Sequence, residues 1–120
     1  MSTLISEKSP RIKIAASAGR VMDTFPVTVS VVEQGGRRLR FKKPFVFSPF
    51  IDDSRRLLVI EVPGLSLSVF ASTRARLLKD LKTEISFLWD EYALASDDDL
   101  STDARVLKQI LLSLLEASDE

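Results

Sequence analysis

The chain has 120 residues, 45% of them hydrophobic and 28% charged, with 17 basic and 17 acidic side chains. That length supports one core without disulfide or metal staples, and the apolar share excludes an intrinsically disordered chain. With no histidine and no cysteine, imidazole and thiol chemistry and zinc-type sites are excluded, which would leave any catalysis to carboxylates, lysine, serine or the single tyrosine, Tyr92.

No apolar run is long enough to cross a bilayer, and charges interrupt the N-terminus where a secretory signal needs its apolar segment. A cytoplasmic location without membrane contact is expected. The zero net charge conceals a dipole, because residues 1–60 hold 11 Lys/Arg and 5 Asp/Glu while residues 61–120 hold 6 and 12. Such halves attract copies or an oppositely patterned partner, or neutralise each other inside one fold; the second is the simpler reading.

Residues 1–10 are polar and end at Pro10, and Arg11 to Phe25 alternates only briefly before Ser17-Ala18-Gly19 interrupts it. A flexible or partly ordered leader is expected over 1–25, followed by a single α+β domain over 26–120. From Pro26, Val27, Val29 and Val31 alternate with Thr28 and Ser30, and Leu39 and Phe41 alternate with Arg38, Arg40 and Lys42 beyond Gly35-Gly36. This is a β-hairpin. A two-residue turn would set Val31 opposite Arg40, whereas a three-residue loop, Gln34 to Gly36, pairs Val31 with Leu39 and Val29 with Phe41. A slip of one residue turns every side chain to the other face, so the longer loop is expected.

Phe45 to Ile51 is apolar on both sides but contains Pro49, which cannot donate to a ladder and belongs at a sheet edge or a bend. Asp52-Asp53-Ser54 reads as a turn. Leu57 to Val62 is apolar on both faces, as a central strand would be, and Leu65 to Ala71 alternates with Ser66 and Ser68 across Pro63-Gly64. Ser72 or Thr73 can cap a helix whose Leu78, Leu81, Ile85, Leu88 and Tyr92 form one apolar stripe, with Trp89 widening it. After Asp97-Asp98-Asp99, Ser101 or Thr102 caps a second helix, with Asp103 near its positive end and Leu107, Ile110, Leu111, Leu114 and Leu115 as a broad apolar face. The fold class is α+β: a three- to four-stranded, mainly antiparallel sheet with a β-β-β-α-like core. The first helix covers one face. The second covers the other, where Leu57, Val59 and Phe70 point, or meets another subunit.

Three groups of residues invite a functional reading. Arg38, Arg40 and Lys42, with Arg37 beside them, form a cationic ribbon suited to phosphates, or a charged guard on an exposed strand; the guard is favoured because the chain is not basic overall and no stacking aromatics sit among the arginines. Arg74 and Arg76 stand in a helix first turn, where the macrodipole disfavours cations, so they could mark an anionic partner, although Arg76 can pair with Asp80. Asp97 to Asp99 offer oxygen ligands without the glycine and distal glutamate of a calcium loop, and read as a solvated linker. No metal, cofactor or catalytic residue is assigned.

The block Leu58–Val62, Pro63-Gly64, Leu65–Val69, Thr73, then Leu78, Leu81 and Ile85 resembles the core of HicB-like antitoxin domains, over residues 58–89. The resemblance implies a non-catalytic domain of degenerate ribonuclease-H-like shape that works by binding a protein. Two departures stand against it: Arg74 and Arg76 replace the acidic residues usual after the capping threonine, and no helix-turn-helix or ribbon-helix-helix follows. The expected function is a non-enzymatic interaction domain, an antitoxin-like inhibitor or small adaptor. It would bind a protein partner or itself as a homodimer through Leu107, Ile110, Leu111 and Leu114. The alternative is a small nucleic-acid-binding domain using Arg37, Arg38, Arg40, Lys42, Arg74 and Arg76.

Overall fold

Valine and phenylalanine alternate with polar residues on either side of Gly35-Gly36, and this opening hairpin sets the geometry of the fold. The computed structural model describes residues 23–118; of the leader expected over 1–25, all but Asp23–Phe25 lies outside them. Strand β1 (Val27–Gln34) pairs antiparallel with β2 (Arg37–Phe47) through a two-residue turn. Gly35 and Gly36 both take positive φ, +60° and +80°, which matches the right-handed twist of the flanking strands and disfavours residues with a Cβ, asparagine and aspartate least.

The three-residue loop expected from the alternation is therefore wrong: Val31 lies opposite Arg40, and Val32 opposite Leu39. The apolar faces still meet, because the register jumps between Val29 and Val31. Val27 faces Phe47 and Val29 faces Phe45, and beyond the irregularity Val32, not Val31, turns inward. On β2 the jump spans Phe41 to Pro44, where Pro44 has no N–H to give. Phe41, Phe45 and Phe47 gather their rings there, with centroids 4.7 to 6.2 Å apart.

Pro49 marks the bend between β2 and β3 (Phe50–Ile51). From there β4 (Leu58–Val62) and β5 (Leu67–Ala71) complete a second antiparallel sheet in the order β3-β4-β5, with β4 central as its two-sided apolar pattern demands. The link at Pro63–Leu65 is a 3-10 turn that closes with Ser66 left-handed at φ 52°. The first sheet runs β1-β2-β6, where β6 (Leu115–Ser118) pairs antiparallel with Arg38–Phe41. The strands thus form two three-stranded sheets instead of one. Leu115, expected on the second helix, opens β6 opposite Phe41.

Helix α1 (Arg74–Leu88) begins at Thr73, whose Oγ1 accepts a hydrogen bond from the Arg76 amide at 3.2 Å. It packs on β5, β4 and β1 and so spans both sheets. The buried stripe is Leu77, Leu81, Ile85, Leu88 and Trp89; Leu77 takes the innermost position expected of Leu78, which is only partly buried. At roughly 2 kcal/mol per fully buried aliphatic chain, this docking helps offset the ordering cost of the helix. Trp89–Ala93 continues it as one widened turn, with the Leu94 amide donating to Trp89 O, five residues back. Helix α2 (Thr102–Leu114) is capped by Ser101, whose Oγ accepts from the Ala104 amide at 3.2 Å. It packs on the widened turn, on Pro63–Leu65, and on β2 and β6. The expectation that α2 would cover Leu57, Val59 and Phe70 is not met, since Phe70 remains 63% exposed.

Candidate interaction surface

Every cation of the ribbon is engaged within the chain. Arg37 grips Asp90 through both terminal nitrogens and donates to Ser86 Oγ at 3.0 Å, which ties the hairpin to the end of α1. The bond to Asp90 raises the Arg37 pKa, and the same bond holds the Asp90 carboxyl below its usual range. Arg38 meets Glu33 directly across the hairpin at 3.5 Å. Arg40 pairs with Glu116, its cross-strand neighbour on β6. Lys42 Nζ donates to the Leu112 carbonyl at 2.8 Å, where the last turn of α2 concentrates negative dipole.

The first turn of α1 is neutralised as well. Arg74 reaches back to Asp23 Oδ1 at 3.2 Å and donates to the carbonyls of Asp23, Phe25 and Pro26, so it anchors the chain ahead of β1. Arg76 pairs with Asp80 one turn on, at 3.2 Å, as the spacing predicts. These six side chains do not converge on one site. They are spent within the hairpin, on β6, on both ends of α1 and on the last turn of α2.

The expected oligomer face on α2 is divided. Leu107 and Leu111 turn into the chain's own core, at 8% and 0% exposure, while Ile110 and Leu114 are partly buried. The helix shows solvent Val106 instead, in a shallow groove with Thr102, Arg105, Gln109, Ile110 and Ser113. Periodicity found the apolar stripe, but much of the stripe is taken up by packing on the widened turn, on Pro63–Leu65, and on β2 and β6. Asp97–Asp99 form a 3-10 turn, and Asp97 pairs with Lys108 at 2.9 Å, which lowers its pKa. Among the described residues no group of acidic side chains could hold a metal ion.

Among the described residues Phe25, Val46, Phe87, Leu94 and Val106 also stand exposed, but the outer face of the second sheet sets two exposed phenylalanines in one row. Phe50 lies opposite Val59, and Val59 lies opposite Phe70, so the three form one cross-strand row on one face. The two phenylalanines are 43% and 63% exposed while Val59 between them is buried at 8%. The flanking residues of that face are Leu57, Glu61, Ser66 and Ser68. Phe70 carried a signal, since it falls on the serine side of the Leu67, Val69, Ala71 alternation. Phe50 did not, because its segment is apolar on both sides. Compared with family models, with curated proteins and with solved structures, the chain matches none, so the reading of this surface rests on its own geometry.

Proposed function

We propose that the chain is a non-catalytic binding module, an inhibitor of antitoxin-like kind or a small adaptor, and that its working surface is the Phe50–Val59–Phe70 row. The observation that carries this is the row itself: two phenylalanines, 43% and 63% exposed, flank Val59 on a sheet face on which neither helix packs. Aromatic side chains bury the most area per residue when they meet a partner, and clustered exposed ones mark interaction surfaces more than isolated ones do. The six cations expected of a nucleic-acid surface are engaged within the chain, five in ion pairs and Lys42 on the Leu112 carbonyl, so binding phosphates there would compete with those contacts.

The test is affinity capture from cells with the full chain and with the Phe50→Ser, Phe70→Ser double variant, followed by titration of the purified captured protein. The partner should be lost with the double variant and kept when Arg38 and Arg40 become alanine. The opposite pattern, with binding that weakens steeply with salt, would replace this reading with the nucleic-acid one.

A further inference from the structure

A sheet edge carries a row of backbone N–H and C=O groups that are unsatisfied within the sheet, and folded proteins guard such edges with brevity, charge, proline or a bulge. Among the described residues, three of the four sheet edges are guarded. Strand β3 is two residues long and follows Pro49. Strand β1 is broken by its register jump and carries Glu33, and β6 carries Glu116. Strand β5 has none of these devices. Its sequence, Leu67-Ser68-Val69-Phe70-Ala71, holds no charge and no proline, and its register with β4 is unbroken over all five residues. Among the described residues nothing pairs with its far side.

We infer that the free edge of β5 takes the β5 of a second copy in antiparallel register, joining two three-stranded sheets into one of six strands. The strand is self-complementary under a two-fold axis at Val69. Leu67 then faces the partner's Ala71, Val69 faces the partner's Val69, and the apolar floor beneath α1 runs on across the junction. On the outer face Ser68 faces the partner's Phe70, which brings the two Phe70 rings into diagonal contact, within reach for aromatic side chains. One arrangement accounts for both the unguarded edge and the 63% exposure of Phe70. With no charge between Leu67 and Ala71, nothing along the edge repels its own copy. This goes beyond the face-binding reading, since it concerns the rim of the sheet and a different partner; the two share Phe70, while Phe50 belongs to the face alone.

Sedimentation velocity of the full chain over a wide concentration range tests it. The expected species has twice the 13.4 kDa chain mass. Ser68→Lys, an exposed substitution, should weaken the dimer by at least about tenfold by setting an ammonium against each partner Phe70 and two like charges on the diagonal of the junction, while Phe50→Ser leaves it intact. Because the chain has no cysteine, a mixture of Ser68→Cys and Phe70→Cys chains should form a disulfide between the two variants on mild oxidation. Circular dichroism melting confirms that each variant is folded. A monomer at every concentration overturns the inference, as does a dimer indifferent to Ser68→Lys and dissociated by Val106→Lys on α2. A monomer that still loses its captured partner with Phe50→Ser, Phe70→Ser defeats the edge pairing alone and leaves the face-binding reading standing.

Discussion

Replacing Leu77 by alanine, and separately Leu78, measures which face of α1 the core takes. Leu77 is fully buried, whereas Leu78 only leans on the core from the side. The three carbons lost from Leu77 are worth about 0.8 kcal/mol each, or about 2.4 kcal/mol, before any void is counted. The void between α1 and the sheets cannot collapse fully with strands fixed on both sides, which brings the expected loss to about 3–4 kcal/mol. At Leu78 partial exposure limits the loss to about 1 kcal/mol. Against a total stability of roughly 5–15 kcal/mol for a domain, the first is a large fraction and the second is modest. Urea unfolding followed by the fluorescence of Trp89, the single tryptophan and 5% exposed, reports both. Equal shifts in midpoint, or a larger one at Leu78, would refute the assignment of the buried face.

Two further outcomes follow from the turn and the clip. Gly36→Ala should cost about 1–2 kcal/mol because its φ of +80° crowds a Cβ, whereas Gly35→Asn, a residue that left-handed turns accept, should leave the urea midpoint almost unchanged; an unaltered midpoint for Gly36→Ala would contradict the two-residue turn. Arg37 depresses the Asp90 pKa, so the clip stabilises the fold above the ordinary carboxylate range and is lost as pH falls below about 4. Arg37→Met should therefore flatten the acid limb of a plot of stability against pH, and an acid limb of unchanged slope would show that the clip contributes nothing.

Local rules carried far along this chain. Thr73 and Ser101 cap the helices they precede, Arg76 finds Asp80, Pro49 sits at a bend, and β4 is central because Leu58, Val59 and Ile60 are apolar on successive positions. These depend on neighbours within a few residues. The misses depend on distance or on near-degenerate choices. Val31 and Val32 are adjacent valines, so a one-residue jump costs little in composition and only the paired strand decides which turns inward. Leu77 and Leu78 pose the same ambiguity on a helix. Leu115 fits a helical stripe, yet its backbone pairs with β2 instead, a contact that no local pattern encodes. The surface was half legible: the sequence put Val59 and Phe70 on a common face, but it could not say that α2 would settle elsewhere.

Strand β6 has a consequence for the order in which the molecule can be assembled during synthesis. Arg40 and Glu116 are separated by 76 positions, so the β1–β2 hairpin and α1 leave the ribosome well before the strand that flanks β2 on its other side. Until residues 115–118 emerge, the backbone of Arg38–Phe41 has no neighbour there. The cations at positions 38 and 40 guard that stretch meanwhile, and only later does one of them find its carboxylate on the arriving strand.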